Sequence, residues 1–528
     1  MSQIYWRIIH KIKIIKIDLS AAPRVRHSNG AWSIPAKSTI RMIERSRFKF
    51  LNETYELNSN KDWNNSSYSK LWLYNLHYFE DLNSYDSDLR NDWHKELISR
   101  WINENEPGFG NGWEPYPISL RIVNWIKWVK SGNVVKVHWL NSLATQARYL
   151  ENSLEYHLLG NHLFANAKAL VFAGLFFEGN EANKWYSIGM GIIEKEIIEQ
   201  VLEDGGNFEL STMYHSIFLE DLLDIVNILN NNSISVPEVV INTACRMLHW
   251  LGTMTHPDKK ISLFNDAAQD IAKSPFELSS YAQRLGLPIP KGNTGITYLK
   301  NSGYIRYEDP RLVLIADLAN VGPDYIPGHA HADTLTFELS LYTERIFVNT
   351  GTSVYGNSKI RLEERGTAAH NTVMIDGENS SEVWSGFRVA RRARVFNTIV
   401  NQTESETVFK SSHTGYKRLP GKPIHTRTWE IHDCRCIISD NITGKKNHRI
   451  QNYLHLHPKI RIKKLNHFEY MLSSQYTSNI KISFNGYENI ELLPFKYHSE
   501  FGKTEISSMF SCEVTKELPV DTFFIINW

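Results

Sequence analysis

The chain is short of several features that would mark a specialised class. Charge of one sign is missing: 58 Lys and Arg stand against 57 Asp and Glu in 528 residues, a formal net charge of +1. No global field therefore selects nucleic acid as a partner. Cysteine is scarce, with four residues at positions 245, 434, 436 and 512. Cys434 and Cys436 are too close for an easy structural disulfide and do not resemble a zinc ribbon, so buried or half-buried thiols are expected. No stretch of about 20 apolar residues occurs, so no membrane span is expected. Residues 1–19 mix apolar side chains with Lys11, Lys13 and Lys16. They lack the unbroken apolar core and small-residue cleavage site of a secretory signal, which reads as cytoplasmic. An amphipathic helix or strand, or a basic segment on a membrane surface, are the structures open to it. Internal repeats and low-complexity tracts are absent.

Apolar residues are present at 42% and charged residues at 22%, ordinary globular usage. At this length two or three domains are expected. Aromatics reach 12%, with 15 Trp and 24 Tyr; flat rings with polar edges suit sugars as well as cores.

Apolar positions recur at helical spacing through 70–290. Ile118, Ile122, Val123, Trp125, Ile126 and Val129 form one stripe, and Met213, Ile217, Leu222, Ile225, Val226 and Leu229 another. Near 288–293 (PIPKGN) short alternating runs take over, and a boundary is placed there. The division is then 1–69 as a mixed extension, 70–290 as an all-α domain and 291–528 as an antiparallel β-sandwich. In 334–341 (TLTFELSL) Leu335, Phe337, Leu339 and Leu341 share one face, which predicts a half-buried strand with the polar face in solvent. Similar runs occur at 312–318, 345–348, 372–375, 436–439, 480–484 and 523–526.

Three clusters carry chemistry. In 327–333 (PGHAHAD) an extended backbone would put His329, His331 and Asp333 on one face, for acid–base work or for a metal. Strands could bring His331, Asn349 and His370 together, either around a metal or as a satisfied polar network. In 160–166 (GNHLFAN) Asn161 and His162 open a helix, where backbone amides favour an anion such as a carboxylate. In 204–215 (DGGNFELSTMYH) Tyr214 and His215 enter another helix, and Tyr214 could move a proton. Two aromatic-rich segments, 73–82 (LYNLHYFEDL) and 113–121 (WEPYPISLR), could line a cleft.

Together these segments, with RGTAAHN at 365–371 and WSGFRVARRA from Trp384, resemble the heparinase II/III-like family of polysaccharide lyases and are similar to certain alginate lyases. The resemblance implies an N-terminal α/α toroid, an incomplete barrel, followed by an antiparallel β-sandwich. It implies β-elimination at a uronic acid: Asn161 and His162 neutralise the carboxylate, and Tyr214 and His329 serve as base and acid in an order left open. Substrate contacts are expected from His77, Trp113, Glu114, Arg121, Arg365, Trp384 and Arg388. Zinc is implied at His331, Asn349 and His370, with Asn349 standing where the family pattern has Asp. The expected partner is an acidic polysaccharide, with no nucleic acid and no membrane span, acting as monomer or homodimer; similar proteins are often periplasmic. Two other readings are a hydrolase, for which Glu114, Glu209 and Asp204 are the candidate carboxylates, and a non-catalytic glycan-binding accessory of surface polysaccharide synthesis.

Overall fold

The computed structural model describes residues 15–290, 292 and 294–528. Most of the basic opening segment therefore lies outside the described residues, as do two positions of the 288–293 turn. A helical part is followed by an antiparallel, sheet-rich part, as the change of period indicates. The chain divides into two compact units: one holds the chain up to Val201 with Ser216–Leu248 and Phe276–Ile289, the other Leu202–His215, His249–Pro275 and Pro290–Trp528. Among the described residues no helix is long and apolar enough to cross a membrane. The cysteines are free thiols, Cys436 and Cys512 buried and Cys245 and Cys434 half-buried.

In the first unit, the stripe at 118–129 becomes the helix Pro115–Lys130, opened by prolines in its first turn where missing N–H groups cost nothing. The helix Gly160–Phe176 is buried on nearly every side, which makes it the axis of the unit's packing. It meets Asn180–Gln200 through glycines. A Cβ on Gly174 would stand 2.6 Å from Ala182 O, and one on Gly189 would stand 2.6 Å from Ala167 O. The close crossing thus requires both residues to lack a side chain. A small sheet of Met42–Glu44, Arg47–Phe50 and Glu53–Glu56 precedes the helices.

The second unit contains antiparallel sheets of eight, five and four strands. Their shared core includes Leu314, Phe337 and Leu339 of the five-stranded sheet, Trp429, Ile438 and Phe524 of the eight-stranded sheet, and Leu454 and Phe510 of the four-stranded sheet. Strands Ile424–His432 and Arg435–Thr443 alternate buried and half-buried positions, as one-sided burial requires.

The run at 334–341 departs from expectation. The strand is Phe337–Leu341 and is buried on both faces, and Leu335 adopts a positive φ of 64° that ends it. Ile315 lies opposite Glu338 on the face that also carries Val313. Val313 and Ile315 pack with Leu210, Trp250, Met254 and Phe264, so the segments Leu202–His215 and His249–Pro275 cover this face. Glu338 survives burial because it is fully engaged. His256 Nε2 lies 2.9 Å from Oε2, Arg345 is 3.5 Å away, and Oε1 accepts the Asn349 N–H at 3.0 Å. Burial acts to raise the Glu338 carboxyl, but these partners hold it below its ordinary value.

Candidate functional site

The sheet unit builds its site on a hub that sequence periodicity does not reveal, Asn265 and Asp266. Asn265 takes a left-handed φ of 55°. Its amide donates to Leu210 O at 3.0 Å and its carbonyl oxygen accepts the His331 N–H at 3.0 Å. Ser211 caps the helix Thr212–Asn231 by accepting the Tyr214 N–H at 3.2 Å and donates to Asp266 O at 2.5 Å. The Asp266 N–H in turn donates to His329 O at 3.0 Å. Tyr214 and His329 are thereby fastened to one loop, and their rings lie 4.0 Å apart between centroids.

The buried Asp266 carboxylate accepts from three side chains. His329 Nδ1 lies 2.8 Å from Oδ2, His331 Nε2 lies 2.8 Å from Oδ1, and Arg361 binds both oxygens, with 2.6 Å from Nη2 to Oδ2. Burial alone would raise this carboxyl; the Arg361 guanidinium and the two imidazoles outweigh it and hold it well below the usual range. A permanent anion accepts and does not donate, so it selects the Nδ1–H tautomer of His329. In the neutral ring Nε2 is then the nitrogen that can accept a proton, and the side chain is 15% exposed.

Tyr214 has the opposite character. Its hydroxyl is 3.0 Å from that of Tyr355. Burial, with Tyr355, Asp266 and Glu209 nearby, pushes the phenol well above its ordinary value. It is a proton donor in the resting protein. Tyr355, Arg361 and Asp266 are site residues that sequence reading missed. Each works through tertiary partners, and the one local signal was the Asn-Asp pair in 264–266 (FND).

His331 and His370 face each other, with Nδ1 of the first 3.3 Å from Nε2 of the second. Nδ1 of His370 lies 3.0 Å from Asn349 Oδ1, which also accepts from Thr336 Oγ1 at 2.9 Å. Burial pushes the His331 imidazole down to about 4 and that of His370 well below its ordinary value. Asn349 therefore stands behind His370, on the far side from His331, and does not converge with the two imidazoles as a third ligand. Among the described residues no group of three His, Cys, Asp or Glu side chains is poised around a metal position. Residues 327–333 are not a strand, so strand alternation does not set His329, His331 and Asp333 on one face. Burial raises Asp333 to about 6, and burial together with Asp333 raises Asp317 well above its ordinary value, the behaviour of a buried carboxyl pair.

In the helical unit, Asn161 and His162 occupy the first turn of Gly160–Phe176. His162 Nδ1 is 3.1 Å from Glu155 Oε1, and Glu155 is fixed by Asn166 Nδ2 at 3.0 Å. The His162 ring lies against Tyr116 at 4.5 Å, and the Asn161 side chain hydrogen-bonds the Tyr116 hydroxyl. Nε2 of His162 has no hydrogen-bond partner among the described residues.

Four expected substrate contacts are interior residues instead. His77 is wholly buried, with Nε2 3.0 Å from Trp63 O and Nδ1 accepting from Trp101 Nε1 at 3.0 Å. Arg121 spends its donors on Gln146, His77 O and Gly112 O and lies 3.7 Å over the Trp101 ring. Trp113 packs against Trp101 and Tyr149. Arg365 donates to Ala330 O and Ser385 O. For His77, Arg121 and Arg365 the reason is common: their buried polar groups are satisfied by the protein itself. Trp113 is held by ring packing, its buried indole N–H without a hydrogen-bond partner among the described residues. Glu114 is partly exposed and bound by Tyr74 and Lys70, whereas Trp384 and Arg388 are exposed. Of the hydrolase candidates, Asp204 is tied to the Ser302 N–H at 2.6 Å and to its hydroxyl at 3.0 Å.

Residues 36–285 match the heparinase II/III N-terminus, and residues 291–518 match the heparinase II/III-like C-terminal region. A heparin-sulfate lyase of Bacteroides stercoris is 26% identical over 256 residues, covering 44% of this chain and 38% of that protein. One from Pedobacter heparinus is 26% identical over 270 residues, covering 46% of this chain and 40% of that protein. The match spans less than half the length of these curated relatives. Among solved structures a heparinase III aligns with a TM-score of 0.71 at 19% identity, over 89% of this chain and 80% of that one. This likeness establishes the fold.

Proposed function

The chain belongs to the heparinase II/III-like family, and on that premise we propose that it is a polysaccharide lyase that cleaves an acidic, uronic acid-containing polysaccharide by β-elimination. The curated relatives, named heparin-sulfate lyases, point to a glycosaminoglycan as the substrate class. The observation that carries the reading is the pairing of an anion-held imidazole with a protonated phenol, their rings 4.0 Å apart.

The chemistry follows from the two states. Nε2 of His329 takes the C5 proton of the uronate, electrons move into a C4–C5 double bond, the C4–O4 bond breaks, and the Tyr214 hydroxyl gives its proton to the departing O4. Proton exchange with solvent then restores both groups. Asp266 keeps the imidazole in the reactive tautomer and stabilises the imidazolium as it forms. Asn161 and His162 are assigned to neutralising the uronate carboxylate, without which the C5 proton is too weakly acidic to remove.

The His331–His370 pair offers two of the ligands that a divalent metal takes. Asp266 and the Asn349 carbonyl oxygen only accept, so each imidazole turns an unprotonated nitrogen toward the other. Their 3.3 Å separation is about that of two ligands on one tetrahedral zinc at ~2.0–2.1 Å. His331 and His370 would hold such an ion, with Asp266 and Asn349 orienting them from behind. When bound it would supply structural positioning of the segments that carry His329 and His370.

The test is incubation of the purified protein with a panel of uronic acid polymers, following near-ultraviolet absorbance of unsaturated ends. Release of such ends supports elimination. Cleavage without them favours hydrolysis, and binding without cleavage favours the accessory reading.

A further inference from the structure

Residues 382–390 form a two-stranded hairpin separate from the large sheets, with Glu382–Trp384 paired to Arg388–Ala390 and Trp384 directly opposite Arg388. We propose that this hairpin is a binding subsite for the sugar next to the one that reacts, and that it takes a sugar bearing an anionic group. The inference rests on the lyase reading and deepens it by placing specificity in Trp384, Phe387 and Arg388.

Three observations converge. The first is exposed aromatic surface: Trp384 is 55% exposed and Phe387 is 41% exposed. The Trp384 ring has no stacking or hydrogen-bond partner among the described residues. An exposed indole beside a site is a surface waiting for a flat apolar face, such as the C–H face of a pyranose.

The second is charge. Residues 388–394 carry four arginines. Arg391 binds Glu382 at 2.5 Å from Nε, Arg392 lies 3.3 Å from Asp324, and Arg394 lies 2.8 Å from Asp324. Arg388 is exposed and has no acidic partner among the described residues. The basic run is thus mostly self-neutralised, and its one uncompensated guanidinium sits across the strand pair from the exposed indole. A carboxylate or sulfate on a stacked sugar complements that cation.

The third is anchoring. Asn357 Oδ1 accepts from Ser385 Oγ and the Gly386 N–H, each at 2.8 Å, and Arg365 Nη1 donates to Ser385 O at 3.0 Å. A Cβ on Gly386 would stand 2.4 Å from Gly356 O, so only glycine lets the tip seat this closely. Arg361 donates from Nε to Gly386 O at 3.1 Å while its other nitrogens hold Asp266. The same arginine therefore registers the hairpin tip against the carboxylate that orients His329. The Phe387 ring meets His329 edge-on at 6.0 Å. A sugar lying on the hairpin is thereby set at a fixed distance from the base, and substrates too short to reach it forgo that contact.

The experiment uses the full chain carrying Tyr214→Phe, which should bind without turnover. Calorimetric titration compares an unsulfated uronate-containing hexasaccharide, its sulfated counterpart, and a disaccharide. Trp384→Ala and Arg388→Ala are then added singly; both positions are on the surface, and circular dichroism checks that the fold persists. Each substitution should weaken hexasaccharide binding roughly tenfold or more while leaving the disaccharide unchanged. Arg388→Lys should recover part of the loss. A loss confined to the sulfated ligand identifies sulfate as the anion, and an equal loss on both identifies carboxylate. Hexasaccharide affinities unchanged in both variants would overturn the subsite while leaving the lyase reading intact. If the Tyr214→Phe protein binds none of the ligands and the unmodified protein yields no unsaturated ends, the lyase reading fails and the subsite falls with it.

Discussion

Asp266 and His329, 63 positions apart in the chain, are joined by a 2.8 Å hydrogen bond from imidazole Nδ1 to carboxylate Oδ2. Since the same carboxylate is pinned by Arg361, its charge is permanent and the tautomer of His329 is set before substrate arrives. Asp266→Asn preserves size but can present an N–H to Nδ1, which favours the wrong tautomer. The expected result is a fall in kcat of about 10²–10⁴-fold with KM for the polymer little changed, read by steady-state kinetics. A kcat within twofold of the parent would remove Asp266 from the catalytic account.

Tyr214→Phe deletes the proton donor and keeps the ring that packs on His329. Turnover should drop by a similar factor of about 10²–10⁴ while oligosaccharide affinity persists. Retained turnover would transfer the acid role to another group, with Tyr355 the nearest hydroxyl.

Metal binding is checked independently of activity. After exposure to zinc and exhaustive dialysis, elemental analysis should find zinc retained by the parent chain and lost in His370→Ala. Asn349→Ala should retain part of it, because Asn349 supports His370 from behind. Equal zinc content in the parent and His370→Ala would refute this placement.

Stability should depend on pH through buried neutral histidines. Burial, then the nearby Arg121, pushes the His77 imidazole down to about 3, against its hydrogen bond to Trp63; an unfolded histidine titrates near 6.5. Between those values the unfolded chain binds the extra proton. The contribution is therefore complete above about pH 6.5 and is lost progressively as pH falls toward 3. His77→Gln should be less stable at neutral pH, yet show a shallower loss between pH 6.5 and 4 in urea titrations.

The interior of the sheet unit offers a further test. Asp440 is wholly buried, holding Arg427 at 2.7 and 2.9 Å and His425 at 2.7 Å, while Arg427 donates to Leu335 O and Asn371 O beside His370. Asp440→Ala leaves a buried guanidinium unpaired and should cost about 3–5 kcal/mol in chemical denaturation.

The readable parts of this protein were those with local periodicity. The stripe at 118–129 and the alternation at 436–439 each match an element, Pro115–Lys130 and Arg435–Thr443, because one-sided burial imprints a period on the sequence. Phe337–Leu341 matched in type and failed in environment, since the segments that bury Glu338 come from elsewhere in the chain. Motif resemblance singled out Tyr214 and His329, which the fold brings into ring contact. The same resemblance counted His77, Arg121 and Arg365 as sugar contacts; a buried, satisfied donor and an exposed, waiting one look alike in sequence. Asp266, Arg361 and Tyr355 left no pattern, because their roles exist only once distant loops have met.

The most direct test of the central claim is the chemical form of the product ends. Mass spectrometry of oligosaccharides released from a uronic acid polymer should show new non-reducing ends lighter by one water than hydrolytic ends and absorbing in the near ultraviolet, with both signals abolished in Tyr214→Phe. Saturated non-reducing ends, heavier by one water and without the near-ultraviolet signal, would contradict it.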